Sequence, residues 1–255
     1  MTRSLVASAL ALALAVLPGP ARAENGFHPG EQIEFDIDYL GIHAGQARIT
    51  VGKAEGRVWP VIAQARTDGL ASIVDIREHL VSYWDSEARV PRGSDLHAFE
   101  AGDRHQDSAR FDRESGTAWV SITRKGHRDA RTFPMQADAQ DFASAVLWLR
   151  GQPLAEGKRF EIPVFTTKGT FTLVATVTGR DTVDTPVGTF ETLKVEVRTA
   201  FEGKFSARRD TFIWFSADES RIPVRVSAEF AVGSVVATVS SYRPGGALAR
   251  NEVSP

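Results

Sequence analysis

Three groups of side chains in this sequence are of the types that chemistry requires: its histidines, a run of carboxylates, and a scattered set of aromatic and cationic residues. The six histidines are His28, His43, His79, His97, His105 and His127. A catalytic zinc site of the H-E-x-x-H kind needs two histidines one helical turn apart, and no pair has that spacing. Glu78 and His79 are adjacent but lack a second histidine on a shared helical face. His97 and His105 flank the turn signal Gly102-Asp103. They read as exposed loop histidines, the sharper alternative being a pair facing each other across a hairpin. No G-x-S-x-G elbow is present, and no Ser, His and Asp fall into a recognisable triad order. No glycine-rich phosphate loop occurs. The expectation is a non-enzyme with no catalytic residue, no metal and no cofactor.

The carboxylates Glu34, Asp36 and Asp38 alternate with Phe35 and Ile37. On a strand, residues two apart share a face at about 7 Å, so the stripe is compact enough for acid–base work. Glycoside hydrolysis, however, uses two carboxylates facing each other across a cleft. An acidic stripe backed by apolar residues is read as a solvated face.

The aromatic residues point to binding instead. Phe212 and Trp214 alternate with Ile213 and Phe215, so that strand is apolar on both faces and both must be covered. A second sheet, a helix or a ligand would do so, and the helix is the simplest cover. Trp148 lies on the main helix but off its apolar stripe. Arg150 reads as helix-end electrostatics and Asp218 with Arg221 as a turn ion pair, either arginine being an alternative holder of an anionic head-group. The candidate ligand-binding set is Trp148, Arg150, Phe212, Trp214 and Arg221. A carrier built on it predicts an enclosed apolar cavity near Trp148 and Trp214.

The elements that must position these residues are mostly strands. Period-two alternation marks Ile33–Tyr39, Ala47–Val51, Ala118–Thr123, Phe171–Thr178, Leu193–Arg198 and Val224–Phe230. Gly41–Gly45, Glu114-Ser115-Gly116, Pro186-Val187-Gly188 and Gly233 separate runs of this kind, and short connections mean antiparallel hairpins. One helix is clear, over about 138–150. Phe142, Ala145, Val146 and Leu149 form its stripe, Asp138 or Asp141 its N-cap and Gly151 its C-cap, and Pro153 forbids continuation. A weaker helical turn is read at Gly69–Ile76. The fold class is therefore all-β and mainly antiparallel, a curved sheet or incomplete barrel with one packed helix.

The N-terminal residues set the compartment. Arg3, the apolar run Leu5–Leu17, the Pro18-Gly19-Pro20 break and Ala21-Arg22-Ala23 read as a cleavable signal peptide over residues 1–23. The run is shorter than the roughly 20 apolar residues a spanning helix needs. The reading is one β-rich domain over 24–243 and a fraying tail over 244–255. The chain has no cysteine, which excludes disulfides, thiol catalysis and the lipoprotein attachment route. The expected location is periplasmic. A net charge of −2 with both signs interspersed argues against a nucleic-acid partner.

Several short motifs together resemble a known family. They are Pro29-Gly30-Glu31, Tyr39-Leu40-Gly41, Ala44-Gly45, the Asp141–Arg150 helix, Pro186-Val187-Gly188-Thr189-Phe190, Lys194-Val195, and Trp214 with Ser216, Asp218 and Arg221-Ile222-Pro223-Val224. In order and spacing they resemble the bacterial envelope proteins grouped as domain of unknown function 3108. The resemblance covers nearly all of 30–242 and implies an exported, antiparallel β-rich protein of one domain. A similarity to lipoprotein-carrier and lipocalin-like half-barrels is one of fold alone. The leading expectation is a binding or carrier protein for an envelope lipid (amphiphile) or glycan. A scaffold that pairs an edge strand with an envelope protein partner is the second, and an unrecognised hydrolase the third.

Overall fold

The computed structural model describes residues 26–69, 75–167, 169–200, 211–229 and 233–246. The expected signal peptide, the central residues of the Gly69–Ile76 turn, and 247–255 of the expected tail lie outside them. Among the described residues, alternating apolar and polar side chains build fourteen strands. The first eight are β1 (Gln32–Tyr39), β2 (Ile42–Val51), β3 (Val58–Thr67), β4 (Ile76–Asp85), β5 (Val90–Glu100), β6 (Asp103–Asp112), β7 (Thr117–Arg124) and β8 (His127–Pro134). One helix follows, α1 (Phe142–Arg150). After it come β9 (Arg159–Thr166), β10 (Gly169–Thr185), β11 (Gly188–Ala200), β12 (Thr211–Ser216), β13 (Pro223–Glu229) and β14 (Ser234–Arg243).

All fourteen strands form one antiparallel sheet in the order β8-β7-β6-β5-β4-β3-β2-β1-β14-β13-β12-β11-β10-β9. Two meanders are thus joined where the first strand pairs with the last, with Phe35 opposite Val239. The sheet does not close, since β8 and β9 are its two ends. The segment before the helix covers the β9 edge instead. Gln140 N–H donates to the Pro163 carbonyl at 2.8 Å, and Phe165 N–H donates to the Gln140 carbonyl at 2.7 Å. Such cover protects an edge from pairing with another chain. Phe165 of β9 also packs among Ala109, Ala118, Val120 and Met135, so the two ends meet through side chains. Arg113 ties the same segment down by donating to the carbonyls of Pro91, Ala137 and Ala139. Burial lowers its guanidinium pKa to about 10, against the pull of Asp138, Asp141 and Asp85.

The helix starts where sequence chemistry predicts. Asp141 is the N-cap: its carboxylate accepts from Ser144 N–H, and Ser144 Oγ accepts from Asp141 N–H, each at 2.8 Å. Ser82 Oγ of β4 donates to the same carboxylate at 2.6 Å and pins the helix start to the sheet. Burial pushes the Asp141 carboxyl above its ordinary value, against these hydrogen bonds. Gly151 caps the end at φ −84°, so the left-handed freedom of glycine is not used there.

The buried face of α1 differs from the expected stripe. Phe142 is 57% exposed, whereas Leu147 is buried. The reason is that the helix packs between two walls. Ala145 and Leu149 meet the β9–β12 wall, in a core with Leu173, Val195, Ile213 and Phe215. Leu147 meets Phe27, Val51, Val61 and Trp84 on the other side.

Candidate functional site

The five residues proposed from sequence do not assemble into one site. Arg150 is 1% exposed and makes a buried ion pair with Glu31 at 2.5 Å. Its guanidinium also donates to the carbonyls of Gly26 and Ser220 and lies over the Phe27 ring. This is more than helix-end electrostatics, and it corrects the head-group alternative: the guanidinium is sealed among the protein's own acceptors. The expected ion pair between Asp218 and Arg221 is not formed. The Asp218 carboxylate instead accepts from the Arg221 N–H and from Ser216 and Ser220. This stabilises a turn in which Arg221 takes φ 43°, a costly conformation for a side-chain-bearing residue.

Strand β12 is apolar on both faces as read, and protein covers both. Ile213 and Phe215 face the helix. Trp214 is buried with Val183, Ile222 and Val224, flanked by Phe190 and Phe212. Val183 and Phe190 belong to the end of the long β10–β11 hairpin, which folds back over β13 and β14. The hairpin end is fastened by Trp214 Nε1 donating to Asp181 at 3.0 Å and by Arg225 donating to the Asp184 carbonyl at 3.1 Å. Lys194 lies over both the Phe212 and Trp214 rings. Trp148 is in a different cluster, edge-on to Phe160. The helix therefore covers one face of β12 only, and the hairpin end takes the place given to a second sheet or a ligand.

Sequence reasoning missed a cleft over β1–β4, of about 430 Å³. Glu34, Arg48 and Gln64 stand in register on one side of it, and Gln46, Arg66 and Arg77 on the other. Between them runs the row Phe35, Ala47, Ala65 and Glu78, whose side chains alternate to the helix-facing surface. Of the acidic stripe seen in the sequence, Glu34 lines this cleft. Arg48 pairs with Glu34 at 2.7 Å, and His43 lies 3.9 Å from Asp38. Arg77 pairs with Asp75 at 2.5 Å, while Arg66 donates to Gln46 at 3.1 Å. Desolvation raises the Glu78 carboxyl above its ordinary value. The charge and hydrogen bonding of Glu100 add to that, and His105 opposes it. Glu34 and Glu78 stand out in the sequence, but the cleft does not, because it exists only once four strands are in register.

His97 and His105 are strand residues rather than hairpin-loop residues. His97 and His105 lie on β5 and β6 but are offset, His97 standing opposite Gln106 and His105 opposite Ala98. The partner across from His97 on β4 is His79. Among the described residues, no group of three or more His, Cys, Asp or Glu side chains is placed to hold a metal ion, and no helix is long and apolar enough to cross a membrane.

The fold and its contents define a class: an open, antiparallel, β-barrel-like sheet wrapped on a single helix. A solved structure of the same architecture is the β-barrel-like protein of domain of unknown function DUF1849 from Brucella abortus. It is 9% identical at a TM-score of 0.61, over 86% of this chain and 98% of that one. The chain itself belongs to the family described as protein of unknown function DUF3108, whose model matches residues 34–240. Two further solved structures are a candidate lipoprotein from Parabacteroides distasonis and a candidate exported protein from Bacteroides fragilis. Each is 12% identical, at TM-scores of 0.36 and 0.34, over 86% and 85% of this chain and 98% of each of theirs. No curated protein matches the sequence.

Proposed function

We propose that this chain is an exported, non-enzymatic binding protein of the bacterial envelope, and that its ligand is a glycan held on the outer surface of the sheet. One observation carries the choice between a glycan and an amphiphile. The apolar surfaces that would receive an acyl chain, on both faces of β12, are packed by α1 and by the β10–β11 hairpin end. The cleft over β1–β4 is lined instead by the amides of Gln46 and Gln64, the guanidiniums of Arg48, Arg66 and Arg77 and the carboxylate of Glu34. Such groups hydrogen-bond hydroxyls and acidic substituents. The N-terminal signal read in the sequence supplies the compartment.

Native mass spectrometry of protein purified from the periplasm, followed by denaturing release, tests this reading. A released saccharide mass supports it. A released lipid mass returns the carrier reading. A clean protein mass, together with no binding to isolated envelope glycans, overturns it.

A further inference from the structure

The cleft over β1–β4 is one part of a longer feature. A second cleft, of about 490 Å³, lies over β6, β7 and their adjoining turns and is lined by Asp103, Arg104, His105, Gln106, Thr123 and Lys125. The strand registers place the two clefts on one line. From Glu34, the first row continues through Arg48, Gln64, His79, His97, Gln106 and Thr123. From Asp36, the second runs through Gln46, Arg66, Arg77, Phe99 and Arg104. Between them one row of residues, from Phe35 to His105, points to the other face throughout. At the usual strand separation, six intervals from β1 to β7 make roughly 29 Å.

We infer that this surface is a single groove running across the strands and that it binds a linear anionic polysaccharide. The inference rests on the reading of the chain as a glycan-binding protein and names the chemistry of the glycan.

Part of the charge pattern favours an anion, against Glu34 and Asp36 at the head of the two rows and Asp103 in the second cleft. Arg66 and Arg77 stand directly opposite each other on neighbouring strands, and of the two Arg77 is paired with Asp75, which leaves Arg66 as the uncompensated member of a like-charge pair. Among the described residues, Arg66, Arg104 and Lys125 form no ion pair. At the centre, Arg77 and Arg104 both lie over the Phe99 ring, at 4.8 and 5.4 Å. That contact orients two guanidiniums along the groove before any ligand arrives.

The direction of the groove selects the kind of polymer. A peptide joining by strand addition needs a free sheet edge. Here β2–β6 are interior strands, with ladder partners on both sides. A folded protein partner needs an apolar patch at the centre of its contact, and Phe99 is the one apolar side chain in the two rows. Guanidinium, amide and hydroxyl donors spaced along a line suit a chain that repeats carboxylate or sulfate groups with hydroxyls.

Isothermal titration of the full mature chain tests this with oligogalacturonates of increasing length, and with neutral maltooligosaccharides of the same lengths. The expected result is binding of the uronates alone, tightening with chain length and weakening with added salt. The double variant Arg66→Gln/Arg104→Gln then weakens the longest uronate at least tenfold and flattens the length dependence. Arg198→Gln, an exposed arginine outside the groove, leaves binding unchanged, and unchanged thermal unfolding shows that all variants fold. Neutral chains binding as well as uronates, no uronate binding, or a double variant that binds like the parent would overturn the anionic groove. A saccharide released in the native mass experiment would still support the broader glycan reading in each of those cases.

Discussion

The two meanders of this sheet use the same alternation for opposite ends. In β9–β12 the helix-facing residues are large and apolar along the strands, from Ile162 and Leu173 to Val195, Ile213 and Phe215, and they are buried against α1. In β2–β6 the same surface is large and apolar toward one end, at Val51, Val61 and Trp84 against Leu147, and passes through Ala65 and Ala98 to Glu78 and His105 at the other. It is the opposite surface of that second half which carries ordered rows of arginine, glutamine and histidine. One half is filled along its whole inner surface, and the other is filled at one end and presents its outer face. The difference teaches that an apolar residue on both sides of a strand does not by itself imply a ligand, because a long hairpin can fold back as the cover.

Four changes would break or sharpen that contrast. The largest effect is expected at Arg150, which joins the helix end to residues before β1. Arg150→Ala leaves Glu31 buried without a partner and should cost about 3–5 kcal/mol, read by chemical denaturation. Next, Phe215→Ala in the filled half should cost about 3–5 kcal/mol. Phe212→Ala, half-buried beneath the hairpin end, should cost about 1–2 kcal/mol. Equal losses would mean that the two faces of β12 are packed alike.

The third change concerns pH. Asp85 is buried, which raises its carboxyl, but the N–H groups of Ala88 and Glu87 and the guanidiniums of Arg92 and Arg57 outweigh that and hold it below its ordinary value. A depressed carboxyl contributes stability above its unfolded pKa of about 3.9 and loses it as the pH falls through the folded value. Asp85→Asn should therefore cost about 1.5–3 kcal/mol at pH 7. Its unfolding curve should converge on the parent's below the folded value, and a gap that persists in acid would assign the effect to packing. The smallest effect belongs to the presenting half: Arg66→Gln and Arg104→Gln should each leave stability within about 0.5 kcal/mol, whatever they do to binding.

Much of this architecture was legible in the chain, for reasons tied to particular residues. Ile33, Phe35 and Ile37 alternate with carboxylates, and Asp141 precedes a helical stripe that ends at Gly151, so β1 and α1 follow from local chemistry. The stripe itself misplaced Phe142 and Leu147, because a helix between two walls buries two sides rather than one. The site was far less legible. Arg150 finds Glu31 at a separation of 119 residues, and periodicity reports nothing about such a partner. Arg66, Arg77 and Arg104 look like ordinary solvated positions on three separate strands. Only the register of β3, β4, β5 and β6 lines them up with Phe99, and register is set by packing and turns across the whole sheet.

The pairing of β1 with β14 makes completion of the sheet an all-or-nothing event. Gln32 meets Arg243, its partner from the far end of the domain, so the central seam waits for the last strand to be made and delivered. Contacts of such long sequence separation form slowly. Until they form, β1 and β13 offer unpaired edges to any passing chain or protease. A chain cut short before β14 would keep those edges permanently, so truncation at the far end of the sequence would expose the first strand as well.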